Sequence, residues 1–191
     1  CPVNASEQIL EIESWPVREH WQVRTCILPV SWTRAWPMLE SELDASVRGV
    51  LTLGQADLEV LQLERCARNR NGSRTDADGE LPSAWRIVPD GPETRPARLP
   101  LVRLQRGLEA GGHPVTLADD AGDFLCNHVF YRLLDHVAHH RADLQAGLVQ
   151  VPEPGRMDGA DLRAALLVLV SEMLEHLEIV ASALGRVQPL R

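Results

Sequence analysis

The sequence predicts an α/β protein, a three-layer α/β/α sandwich with a mostly parallel sheet and helices on both faces. Three observations lead there. Short apolar runs bounded by glycine or proline alternate with longer stretches whose apolar residues recur at helical spacing. A length of 191 residues suffices for one domain with a full core. No internal repeat or low-complexity tract divides the chain.

The elements follow in order. Residues 21–30, "WQVRTCILPV", read as a strand ended by Pro29. Residues 33–47 read as a helix with Pro37 in or near its first turn. "RGVLTLGQA" (48–56) is a short apolar strand with a glycine turn, and "VLQLERCARN" (60–69) is strand-like with polar residues interleaved. Residues 70–82 are a loop, and the proline-rich stretch 88–100 is extended or irregular. A helix follows at about 100–111, then a strand at 114–119. The next helix begins near Cys126, with Val129, Phe130, Leu133, Leu134 and Val137 as one apolar stripe. "AGLVQVP" (146–152) is a buried strand. The last helix starts near Asp158 or Asp161 and stops before Gly185, with Leu162, Leu166, Leu169, Val170, Met173, Leu177 and Leu184 facing the core.

Composition excludes several classes. The longest purely apolar run, Ala164 to Val170, is too short to span a membrane. A net charge of −8 without a basic stripe argues against nucleic acid. No G-x-G-x-x-G or P-loop is present, and no cofactor is expected. Cys1, Cys26, Cys66 and Cys126 are widely and irregularly spaced with no C-x-x-C pair, which suits a reducing cytoplasm better than a disulfide framework. No secretory signal is visible, so the sequons at Asn4 and Asn71 read as chance matches.

Several residues are candidates for chemistry. Cys126 sits where a turn containing Gly122 becomes a helix. A helix N-terminus favours a thiolate and offers N–H groups to an oxyanion. Cysteine is also among the most buried residue types, so packing is the competing reading. Glu64 is an acid that could orient a base, or else a solvated residue paired with Arg65. Gln55 falls at a strand C-terminal end, where open α/β sheets bind ligands, and could equally be a solvated loop side chain. His136, His139 and His140 have helical spacing suited to zinc, but no further ligand is evident, and histidines also suit a helix C-terminus. No metal site is expected. His128 lies two residues beyond Cys126, on another helix face, and "DADG" (76–79) is too short for a calcium loop.

Together these segments resemble pyroglutamyl peptidase I, also called pyrrolidone-carboxylate peptidase. "AGDFLCNHVFYRLL" resembles the family's nucleophile segment, and "LGQA" with "LERCARN" its Gly-Gln and Glu-Arg segments. "IVPDGPETRPARLPL" resembles its Val-Pro-Asp-Gly-Pro segment, and "NAS" (4–6) its Asn-Pro-Ser. "AGLVQVP" stands where the family has Gly-Phe-x-His-x-Pro. The match runs in order over most of residues 4–152.

The resemblance implies a phosphorylase/hydrolase-like fold and a cysteine peptidase with a Cys-His-Glu triad. Such an enzyme removes N-terminal pyroglutamate from small peptides. It places Cys126 at the nucleophile and Glu64 at the acid. Gln55, Phe124, Leu125 and Asn127 fall at substrate-binding positions. It also implies a homo-oligomer, dimer or tetramer. There are two departures. The histidine position is Gln150. An amide cannot take a thiol proton, and losing a triad member costs about 10⁴ to 10⁶ in serine proteases. The family's first strand and Gly-Phe-x-Pro-Phe segment would precede Cys1, so residues 1–191 are expected to form a single domain of this kind without them. The alternatives are a catalytically silent relative that binds a lactam, peptide or partner, and a nucleoside-phosphorylase-like enzyme, for which no phosphate loop is seen.

Overall fold

The computed structural model describes residues 20–183. The "NAS" match, Cys1, Leu184 and Gly185 lie outside them. The first helix, α1, spans Ala35–Ser41, with Pro37 in its first turn. It is shorter than the spacing predicts because Asp44 starts a turn, accepting bonds from Ser46 N–H (2.7 Å) and, at its carbonyl, Val47 N–H (3.2 Å).

Four strands form the main sheet. They are β1 (Gly49–Ala56), β2 (Leu61–Glu64), β5 (Val115–Ala118) and β6 (Gln145–Pro152), in the order β1-β6-β2-β5. β1 with β6 and β2 with β5 are parallel, and β2 with β6 is antiparallel. The sheet is therefore mostly parallel, as expected. β3 (Cys66–Arg68) and β4 (Thr94–Pro96) form a separate antiparallel ribbon.

Helices cover both faces because alternate residues of each strand point to opposite sides. Val50, Ala146 and Leu148 meet α1 and α3 (Leu125–His140), where the whole predicted stripe from Val129 to Val137 is buried. Leu51, Leu53, Leu61, Leu63, Val149 and Val151 meet α2 (Leu101–Ala110) and α4 (Gly159–Ala183). Asp158 opens α4 by accepting from Ala160 N–H at 2.8 Å. No described helix is long and apolar enough to cross a membrane.

Two expectations need correction. Residues 21–29 form no strand. Their alternation is real, since Trp21 and Val23 pack on the core, but the segment enters no ladder among the described residues. Residues 60–69 are two strands, not one. Arg65 separates them, its N–H bonding Ala118 O (2.7 Å) and its carbonyl accepting from Ala97 N–H (2.8 Å), which carries the chain from the sheet to the ribbon. The stretch 88–100, expected to be extended or irregular, is extended at Thr94–Pro96 as β4. It is held by Asn69, whose amide donates to the carbonyls of Val88 (2.8 Å) and Gly91 (3.1 Å) and accepts from Val88 N–H (2.9 Å).

Candidate active site

Register brings the site together. Gly54 on β1, Gln150 on β6 and Gln62 on β2 are successive partners across three strands. Partners in register share a face, and Glu64, two residues beyond Gln62, shares it too. That face looks toward α3. A methyl group built on Gly54 would lie 2.7 Å from Cys126 Sγ and closer still to Gln150 Oε1. Glycine is what lets β1 approach the thiol and the amide so nearly.

Cys126 is the second residue of α3. The helix is entered through Gly122, whose φ of +79° favours glycine, and through extended Phe124 (φ −101°, ψ −167°). No side chain caps the first turn, so its N–H groups stay open to a ligand. The thiol is nonetheless pushed up from its ordinary pKa. Burial is the main cause and the Glu64 carboxylate adds to it, while the N–H groups of Cys126 and Gln55 and the Arg74 guanidinium oppose it.

Glu64 is fully buried, which removes the solvated reading, and Arg65 pairs with Asp119 instead. One carboxyl oxygen accepts from Gln62 Nε2 at 2.7 Å, and the other has no partner. Burial pushes this carboxyl up and the carboxylates of Asp120 and Asp119 add to it, against the Gln62 bond. Gln150 is 6% exposed and its Oε1 is also unpartnered. The Glu64 and Gln150 side chains thus leave two buried acceptors without donors on the face that looks toward α3.

The other expected residues take different places. Gln55 is exposed, with its backbone rather than its side chain next to the sulfur. Leu125 is buried in the core under α3. Phe124 is half-buried, with the Trp32 ring edge-on at 5.2 Å and the Arg74 guanidinium 4.3 Å over it. Asn127 is fully buried and tied to the chain's own backbone. It accepts from Arg68 N–H (2.8 Å) and donates to Arg68 O (2.8 Å) and Arg70 O (3.0 Å). Its amide serves as a tether between α3 and β3.

The histidines are elsewhere. His128 packs against Trp32 and its Nδ1 lies 2.9 Å from Asn71 Oδ1. Burial, aided by Arg132, lowers its pKa to about 4. His20 bonds Glu178 on α4. His136 faces Trp36 and Glu40, and His139 Nδ1 turns back to Asp135 O. Among the described residues no three His, Cys, Asp or Glu side chains converge as a metal site. Two open grooves also lie away from Cys126, one of about 700 Å³ between α2 and α4 and one of about 410 Å³ beside Cys66.

Sequence reading missed Arg74. The 70–82 loop looks like solvent-facing punctuation, but the structure clamps it. Gly72 N–H bonds Asp123 O at 2.6 Å, Trp32 Nε1 donates to Arg74 O at 3.2 Å, and Asp76 accepts from Trp32 N–H at 2.9 Å. The Arg74 guanidinium, whose charge the thiol feels, is thereby held over Phe124. An arginine in a loop of charged and polar residues carries no local signal of this.

Comparison with known proteins agrees with the geometry. A family model for pyroglutamyl peptidase matches residues 1–164. The pyrrolidone-carboxylate peptidase of Halalkalibacterium halodurans is 31% identical over 186 residues, covering 90% of this chain and 92% of that protein. That of Oceanobacillus iheyensis is 29% identical over 153 residues, covering 79% and 77%. The solved pyrrolidone carboxyl peptidase from Thermococcus litoralis has a TM-score of 0.83 at 28% identity, covering 92% of this chain and 88% of that one. With its sheet, its helix-start cysteine and this match over most of its length, the chain belongs to the pyroglutamyl peptidase family.

Proposed function

We propose that this is a cysteine peptidase that removes N-terminal pyroglutamate from peptides, with Cys126 as nucleophile and with turnover slowed by Gln150. The observation that carries the reading is the close approach of Cys126 and Gln150 at Gly54, on the sheet face that Glu64 also shares. Cys126 would attack the acyl carbon next to the lactam ring, and water would release the acyl group. The open N–H groups of the α3 start, with Gln55 N–H, are placed to hold the oxyanion. Arg74 supplies positive charge, Phe124 an apolar wall, and Asn127 keeps the helix start on β3. Glu64 stands at the position whose carboxylate orients an imidazole in the family, and here the residue at position 150 is an amide with no titrating proton.

A second reading is favoured by one feature: burial pushes the Cys126 thiol up, away from the thiolate, beside an amide that cannot take its proton. On it the protein binds a pyroglutamyl or other lactam group and does not turn it over. A chromogenic pyroglutamyl amide separates the two. Slow wild-type release, lost in Cys126→Ala and raised about 10²- to 10⁴-fold in Gln150→His, supports the peptidase. Binding of a pyroglutamyl peptide by calorimetry, with no release in either wild type or Gln150→His, supports the binder. Neither binding nor release would sink both.

A further inference from the structure

The Glu64 carboxylate has a partner that belongs to neither the nucleophile nor the residue at position 150. Gln62 precedes it by two residues on β2, so the two side chains leave the same face. They are about 7 Å apart along the strand, which two long side chains bridge. Its Nε2 donates to Glu64 Oε1 at 2.7 Å. Gln62 is also the register partner of Gln150. Its neighbours in the strand, Leu61 and Leu63, are fully buried against the opposite core, so strand packing alone does not explain an amide here. Opposite Glu64 on β5 stands Ala118, whose small side chain leaves the carboxyl room.

We infer that Gln62 is a positioning residue of this site, fixing one oxygen of Glu64 and leaving the other free on the face shared with Gln150 and Cys126. The free oxygen is the unpartnered Oε2, in a side chain with no solvent exposure. A carboxylate held at one oxygen has a set plane, and any donor arriving from position 150 meets a preset acceptor. Because Gln62 donates, it also favours the ionised carboxylate against burial. The other titratable and charged groups around Glu64 are Asp119 and Asp120 beyond β5, the Cys66 thiol on β3, the Cys126 thiol on α3, and the arginines that pair the two aspartates. Arg65 pairs with Asp119, while Arg68 and Arg70 pair with Asp120.

The test is a carbon-13 titration of the glutamate carboxyls in the full chain, with Glu64 assigned through Glu64→Asp. Wild type should titrate above the ordinary glutamate range. Gln62→Leu should move the Glu64 midpoint up by about one pH unit, a tenfold change in proton affinity. Should the leucine variant not fold, Gln62→Asn, one methylene too short to reach, is read in its place. In the Gln150→His background, loss of the amide should lower kcat with KM unchanged and move the acidic limb of the pH profile upward. A merely structural Gln62 would lower Tm and leave the midpoint where it was. An unchanged or lowered midpoint in both variants overturns the inference. The activity arm rests on the proposed peptidase function and the titration arm does not. A shifted midpoint with an inactive Gln150→His keeps Gln62 as a positioning residue and fails the peptidase reading alone.

Discussion

Replacing Asn127 by alanine should both destabilise the protein and loosen its nucleophile. The amide makes three bonds to the backbone of Arg68 and Arg70, from a side chain with no solvent exposure. It pairs with the free edge of β3 as a neighbouring strand would. At about 1 kcal/mol net for each bond, the loss is about 3 kcal/mol. That is a large fraction of a total stability of about 5–15 kcal/mol. For an m value near 2 kcal/mol/M, the urea midpoint should fall by about 1.5 M. Asn127→Leu restores the volume but not the bonds, and should recover little of this. Because Asn127 follows Cys126 directly, iodoacetamide should alkylate the Cys126 thiol faster in both variants than in wild type. A loss below about 1 kcal/mol, or an alkylation rate equal to wild type, would refute the tether.

The other expectations concern acid, thiol and packing. Unfolded, His128 takes up a proton as the pH falls through 6.5, whereas folded it waits until about 4, so the unfolded state gains protons first. Stability should therefore fall by up to about 3 kcal/mol between those values, and His128→Gln should flatten that slope in urea titrations. The alkylation rate of wild-type Cys126 should keep climbing past pH 9 because burial raises its pKa, and a plateau near neutrality would contradict this. Gly91→Ala would place a methyl 2.6 Å from Tyr131 Oη and 3.1 Å from Asn69 Nδ2, disturbing the Tyr131 bond to Pro92 O. Overpacking of this kind costs about 1–3 kcal/mol and should appear as a lower Tm.

The elements that could be read from sequence are those decided locally. The α3 stripe from Val129 to Val137, the glycine at 122 and the apolar run of β6 each carry their period or punctuation within a few residues. What escaped was decided at a distance. The run at 21–30 has strand alternation, but whether a strand forms depends on a partner edge. The break at Arg65 comes from Ala118 and Ala97, far along the chain. In the proposed site, Cys126 and Glu64 stand out as candidates from the motifs that carry them. Gln62 and Arg74 could not, because one acts through strand register and the other through a clamped loop.

The alternation of β6 has a consequence for how this protein can change. Val149 and Val151 face the α2 and α4 core, while Gln150 between them faces the thiol. The residue at 150 can therefore be exchanged for another of similar size without touching the packing that holds the strand. Gly54, whose lack of a side chain admits both the thiol and the amide, tolerates no such exchange. Position 150 behaves as a socket: a lineage can silence or restore proton transfer there by one codon while the scaffold, and whatever it binds, persists.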